Sequence, residues 1–296
     1  MKRKKQTRQK LGVMLLALTV LLAVTRCNKD ETSGLMPEPD EGTLNVELTD
    51  APLNLDLVEE ANVTISKVEI RKEVEGDMAD TGNPFITLYD STKTFNLLEL
   101  RNGVTETLAN MEVPTGKYDH IRMYVDDASL TLTNGNTYSV KVPSSEETGI
   151  KIFIKPAIQV EGGLTSNLLL DFDVSQSFVL KGNLNTPAGV KGFNFKPVIR
   201  AVNKTTAGQI NGMVTDTADA GVAEAAVWIK QDTVVSTTFS DSTGSYAILG
   251  VQEGVYDLFA VKEGYDTTMV EDVEVTAGSE TTENIELIPV DESSGE

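Results

Sequence analysis

Short runs rich in Val, Ile, Thr, Phe and Tyr fill the chain from residue 42 onward, each cut by Gly, Pro, Asn or Asp, and long helical periodicity is missing. That spacing suits strands and turns, not helices of ordinary length, so the expected class is all-β. Leu44, Val46 and Leu48 alternate with Asn45, Glu47 and Thr49 as a half-buried strand that Asp50-Ala51-Pro52 ends. Val63-Thr64-Ile65 and Val68-Glu69-Ile70 form a second run whose alternation slips by one residue, as a β-bulge requires. Further strands are expected at 85–89, 121–125, 130–132, 138–142, 152–154, 168–172 and 193–199, with Asn134-Gly135 as a tight hairpin turn. The stretch 97–111 alone has room for a short helix or a turn cluster.

A boundary falls near Asn203-Lys204-Thr205-Thr206-Ala207-Gly208, and the pattern sharpens beyond it. Ile210, Gly212 and Val214 form a strand closed by Asp216, and Val227-Trp228-Ile229 forms another. The turn Asp241-Ser242-Thr243-Gly244 precedes inward Tyr246 and Ile248, and Gly254-Val255-Tyr256 repeats the theme. Gly244 and Gly254 are read as supplying turn dihedrals that a side chain would penalise. Strands at 273–275 and 285–287 close this half. The expected architecture is therefore two β-sandwich domains, at 42–205 and 207–288, followed by an acidic tail at 289–296.

The N-terminus belongs to neither domain. Lys2, Arg3, Lys4, Lys5, Arg8 and Lys10 precede an apolar run from Leu11 to Val24, and the chain's one cysteine, Cys27, follows directly. Fourteen mostly apolar residues fall short of the roughly 20 that a bilayer crossing needs, so 1–26 reads as a secretion signal. A lone cysteine forms no intramolecular disulfide. Leu21-Leu22-Ala23-Val24-Thr25-Arg26-Cys27 resembles a bacterial lipoprotein signal, although Arg26 stands where that family prefers a small residue. The resemblance implies that Cys27 is acylated and becomes the mature N-terminus, which would give the stable anchoring that more than one acyl chain provides. An ordinary cleaved signal and an uncleaved one are the alternatives. Lys29-Asp30-Glu31 resembles the acidic export tag of Bacteroidota surface lipoproteins, implying the outer face of the outer membrane, with the periplasmic face as the alternative. Pro37, Pro39, Gly34 and Ser33 give 27–41 the composition of a flexible tether.

All 45 acidic residues lie after Cys27 and 18 of the basic ones do, leaving a mature chain of 270 residues with a net charge of −27. Such a surface repels nucleic acid and anionic headgroups, and no basic helix or basic aromatic platform interrupts the pattern.

Two family resemblances follow from ordered motifs. Phe95-Asn96-Leu97-Leu98-Glu99-Leu100, Pro114-Thr115-Gly116-Lys117-Tyr118 and Ile121-Arg122 resemble the centre of the domain-of-unknown-function family DUF4382. Gly42-Thr43-Leu44 and Leu48-Thr49-Asp50-Ala51-Pro52 are similar to its opening. Its closing portion is matched by Asp171-Phe172-Asp173, Ser177-Phe178-Val179 and Phe195-Lys196-Pro197-Val198-Ile199-Arg200. That resemblance implies a secreted bacterial lipoprotein and supplies no activity. Gly212-x-Val214-x-Asp216, Gly221-Val222, Ser240-Asp241-x-x-Gly244-x-Tyr246, Gly254-x-Tyr256 and Gly264-Tyr265 resemble the carboxypeptidase regulatory-like domain. This implies a seven-stranded, transthyretin-like (prealbumin-like) β-sandwich without peptidase chemistry. Its superfamily shares the sandwich with starch-binding modules, which makes carbohydrate binding a functional candidate.

Few residues offer chemistry. Asp171 and Asp173 point the same way along a strand and could share a Ca2+ ion with backbone oxygens, or form the solvated face of a strand whose Leu170 and Phe172 are buried. His120, the only histidine, lacks the companions of a catalytic zinc site, and no Gly-x-Ser-x-Gly elbow accompanies it, so it is expected at a surface or strand edge. With Val227 in the core, Trp228 faces outward, either as a stacking surface for a sugar or as a packing contact. The leading reading is a non-catalytic, membrane-anchored structural, adhesive or accessory module without a resident cofactor. Its partners would be membrane lipid through Cys27 and a glycan or cell-envelope protein, not nucleic acid. A carbohydrate-binding surface lipoprotein and a carboxylate-dependent hydrolase are the alternatives, the latter needing two convergent acids in a concave pocket.

Overall fold

The computed structural model describes residues 40–51, 57–73, 85–143, 148–183 and 189–290, all within one compact unit, Pro39–Glu296. The leader, Cys27, most of the tether and residues 291–296 of the acidic tail lie outside the described residues. What is described is almost wholly β and forms two bodies.

The first body contains β1 (Glu41–Ala51), β2 (Val58–Lys72), β3 (Ile86–Asn96), β4 (Glu106–Pro114), β5 (Gly116–Leu132) and β6 (Thr137–Val140). It continues with β7 (Ile150–Val160), β8 (Thr165–Asp173), β9 (Phe178–Gly182), β10 (Val190–Phe195) and β11 (Ile199–Asn203). One sheet runs β3-β2-β5-β7-β11-β8-β1-β4 with β6 beside β5, while β9 and β10 pair as a separate ribbon. The sheet curls until its two end strands meet, where Lys93 of β3 forms an ion pair with Glu106 of β4. Alternation explains the core: Leu44, Val46 and Leu48, Ala61, Val63 and Ile65, and Ile121, Met123 and Val125 all turn inward and are fully buried. The slip read in the second run is real. The β2 register shifts between Ile65 and Lys67 against both neighbours, and this returns Val68 and Ile70 to the core. Gly135 takes a φ of 81° in the turn between β5 and β6, and Leu132 N–H bonds Asn136 O at 2.9 Å.

Three sequence expectations need correction. Residues 121–125 and 130–132 belong to one long strand, β5, because its pairing to β2 bulges at Asp126 and then resumes at Asp127 instead of ending. The stretch 97–111 holds a 3-10 turn at Leu97–Leu100 but then enters β4, an edge strand whose irregular alternation hid it. Residues 193–199 split into β10 and β11 in different sheets, since Pro197 lacks the N–H that a continuing ladder needs.

The second body comprises β12 (Ala207–Asp216), β13 (Ala226–Lys230), β14 (Val234–Phe239), β15 (Ser245–Gln252), β16 (Gly254–Val261), β17 (Thr268–Val275), β18 (Glu280–Thr282) and β19 (Ile285–Leu287). β18 and β19 lie in succession along β12 and act as one interrupted strand. A sheet β15-β12-β18/β19 therefore faces a sheet β14-β13-β16-β17 in a seven-stranded sandwich around Val214, Val227, Ile229 and Leu258. Gly244 has a φ of +87°, and a Cβ there would sit 2.5 Å from Val214 O, so the turn requires glycine. Gly254 is different. Its φ is not in the left-handed region, so no turn dihedral requires glycine there, and the nearest atom a Cβ would meet is the mobile end of Gln231, Nε2 at 3.1 Å.

Candidate functional site

The two bodies meet along a seam that strand alternation prepares. The run 168–172 of β8 is buried on both faces: Leu168, Leu170 and Phe172 enter the first core, while Leu169 turns outward and packs with Val202, Ala207 and Leu249. Continuous burial of this kind marks a strand covered on both sides. Asn102, held at a φ of 57°, completes the edge of β15 as a backbone amide would. Its Oδ1 accepts from Ala247 N–H at 2.7 Å and its Nδ2 donates to Ser245 O at 3.2 Å. Arg101 and Glu224 are 3.4 Å apart across the same seam.

Asp171 lies in this seam and not on a solvated face. It is 3% exposed, its carboxylate accepts from Arg200 Nε at 3.1 Å and from the Arg200 terminal nitrogen, and Ser236 and Thr238 of the second body stand nearby. Asp173 does something else: it caps the helical turn Val174–Ser177, accepting from Gln176 N–H at 2.9 Å and Ser175 Oγ at 2.6 Å. The two carboxylates thus turn to different partners. Asp50, which accepts from Val174 N–H, is held well above the usual carboxylate range by burial, with Asp171 and Asp173 adding to the effect. Among the described residues no group of three or more His, Cys, Asp or Glu side chains is placed to hold a metal ion.

Where the seam ends, a cleft of about 540 Å³ opens between the bodies. Its floor is the outward side of β7 and β11, strands that run parallel at Ile154 and Ala201. Lys151, Phe153 and Lys155 alternate outward on β7 while Ile152 and Ile154 are buried, and Arg200 projects from β11. The second body supplies the opposite wall with Gln231, Val235, Gln252 and Tyr256. Tyr256 is itself buried and donates to Gln252 O at 2.8 Å, and Gln252 Nε2 reaches Lys155 O at 3.3 Å to tie the walls together. The volume is in the range of ordinary ligand sites.

The floor extends across the first sheet as a basic aromatic platform, which the sequence reading did not foresee. Phe153, 58% exposed, stacks on His120 at 4.9 Å between ring centroids, and His120 meets Phe85 edge-on at 5.4 Å. Arg122 lies over the Phe85 ring at 3.9 Å, Arg71 over the same ring at 5.3 Å, and Lys155 Nζ is 5.8 Å from the Phe153 centroid. His120 is therefore buried, 5% exposed, on β5, an interior strand of the sheet, and not at a strand edge. Burial, helped by Arg71 and Arg122, holds its imidazole below the ordinary value of 6.5, so the ring is neutral at pH 7. Sequence reasoning missed this site because Arg71, Phe85, Arg122 and Lys151 come from four separate stretches. The legible part of the signal was the Lys-x-Phe-x-Lys alternation at Lys151, Phe153 and Lys155.

Trp228 lies elsewhere, half-buried on the outer face of β13, with Val227 and Ile229 in the core on the other side. It stacks on its cross-strand neighbour Phe259 at 5.2 Å with 4° between the rings. Trp228 is half-buried in this pair, which suits a packing contact, whereas Phe153 is 58% exposed beside its own stacking partner.

The sequence matches two family models: the domain of unknown function DUF4382 over residues 41–197 and the carboxypeptidase regulatory-like domain over residues 209–288. No curated protein matches. Among solved structures, a candidate carbohydrate binding protein from Bacteroides uniformis ATCC 8492 is similar at 20% identity, with a TM-score of 0.25 over 28% of this chain and 42% of that one. A type II cohesin–X-dockerin complex from Acetivibrio cellulolyticus gives 21% identity, a TM-score of 0.23 and coverage of 27% and 57%. The shaft pilin SpaA of Lactobacillus rhamnosus GG gives 12% identity and a TM-score of 0.26 over 85% of this chain and 98% of that one. The match spans about half the length of the first two of these. TM-scores this low bear on neither ligand nor mechanism.

Proposed function

The chain belongs to the DUF4382 family, and on that premise we propose that it is a non-catalytic, lipid-anchored extracytoplasmic module that binds its ligand between its two bodies. The observation that carries this reading is the cleft, whose floor and wall come from different bodies tied by Asn102 and Gln252. The sequence supports the location: the leader ends at Cys27, and Lys29-Asp30-Glu31 resembles the Bacteroidota export tag, which favours the cell surface over the periplasmic face. The cleft favours a glycan as the ligand over a purely structural role, because one exposed aromatic side chain is flanked by polar side chains. It argues against the hydrolase reading. The described residues lining it include cations and amides but no carboxylate, while Asp50 and Asp171 flank a space of only about 10 Å³.

The test is metabolic labelling with a fatty acid followed by fractionation. Wild-type protein should take up label and sediment with the outer membrane, and Cys27→Ala should lose the label and leave the membrane fraction. A soluble, unacylated wild-type protein that retains residues 1–26 would overturn the anchoring.

A further inference from the structure

A chain with 45 acidic and 18 basic residues after Cys27 has ample opportunity to neutralise each cation. At the cleft it does not. Among the described residues, Arg71, Arg122, Lys151 and Lys155 have no carboxylate partner, whereas Lys67, Lys93, Lys204 and Arg200 all do. These like charges repel, and at His120 the fields of Arg71, Arg122 and Lys151 are opposed by that of Asp119, which forms no ion pair with any of them. The arrangement becomes favourable once an anion is bound, and screening confines the attraction to about 8 Å in physiological salt, so the acidic remainder of the surface does not cancel it.

Shape and hydrogen-bonding capacity narrow the anion. Phe85, His120 and Phe153 follow one another at centroid spacings of 5.4 and 4.9 Å, a short track of rings leading into the cleft. Such a track suits an extended chain of rings. Gln231 and Gln252 each donate an amide N–H to a backbone carbonyl, Val255 O at 3.0 Å and Lys155 O at 3.3 Å, and keep an acceptor oxygen for a ligand donor. Sugar hydroxyls are donors; a phosphodiester group offers none.

We propose that the cleft and the aromatic track beside it hold a carboxylate-bearing glycan, its ring face on Phe153 and its carboxylates beside Lys151, Lys155 and Arg122. This rests on the binding role proposed above and deepens it. Phe153 would act as the stacking residue, the lysines as charge partners, and Gln231 and Gln252 as acceptors for hydroxyl groups.

The experiment is calorimetric titration of the full chain in detergent with oligogalacturonides, against the same oligomers methyl-esterified. Phosphatidylglycerol vesicles and a single-stranded oligonucleotide serve as competing anions. The charged oligomers should bind, and esterification should abolish binding. Lys151→Gln with Lys155→Gln should weaken it by about tenfold, as should Phe153→Ala, corresponding to roughly 1.4 kcal/mol. Lys181→Gln on β9, which lines no part of the cleft, should leave it unchanged. Phe153 is 58% exposed but covers His120, so the melting temperature of Phe153→Ala is measured alongside, and a variant still folded at the titration temperature keeps unfolding from confusing the result. Equal binding of esterified oligomers, of DNA or of vesicles would overturn the proposal, as would indifference to the cleft substitutions. None of those outcomes touches the acylation of Cys27, which is read separately.

Discussion

At His120 four neighbours decide what the residue is. Phe153 covers one ring face, Phe85 meets the edge, and Arg71 and Arg122 add positive charge, so a histidine that sequence alone would leave at the surface becomes a neutral aromatic spacer. Its pKa is lowered on folding. Between the folded value and the ordinary 6.5 the unfolded chain takes up a proton that the folded chain refuses, so this contribution is complete above 6.5 and is lost as pH falls through that window. His120→Phe retains the stack and removes the proton. The melting temperature of the wild type should therefore fall relative to the variant between about pH 7 and pH 5. A gap that stays constant with pH would mean that the imidazole is not protected. Asp171 makes the complementary point: a carboxylate expected to be solvated or calcium-bound is committed to Arg200 within the seam.

At the scale of elements, β8 and β7 carry the account. β8 is buried on both sides, and Leu169 is the residue that converts a surface strand into an interface. Leu169→Ala should cost about 2–5 kcal/mol in chemical denaturation, the range for a fully buried leucine. A loss under 1 kcal/mol, the size of a surface substitution, would mean that the seam contributes little. The strands themselves were largely legible. Alternation placed β1, the bulge in β2 and the glycine turn after β14, because each is a local consequence of period-two burial or backbone sterics. β4 was not legible: its pattern is irregular, and its pairing partner, β1, lies some 60 residues away. The strand at 168–172 was legible, but the burial of Leu169 was not, because nothing local says what covers the second face. The cleft was least legible of all. Its cations and rings are brought together by the strand order β3-β2-β5-β7-β11, which no single stretch encodes.

For the whole molecule, the two bodies divide the work. The first provides a curled sheet with a charged aromatic outer face, and the second, a compact sandwich, closes one end of that face into a cleft. A net charge of −27 after Cys27 keeps such a module soluble and repels bulk polyanions, while the local cations select a short charged segment at contact range. Hydrogen-exchange mass spectrometry of the full chain, with and without oligogalacturonide, tests the shared cleft most directly. Protection should rise together at 150–156 in the first body and at 231–256 in the second, and leave 226–229 around Trp228 unchanged. Protection confined to one body, or centred on Trp228, would contradict the account.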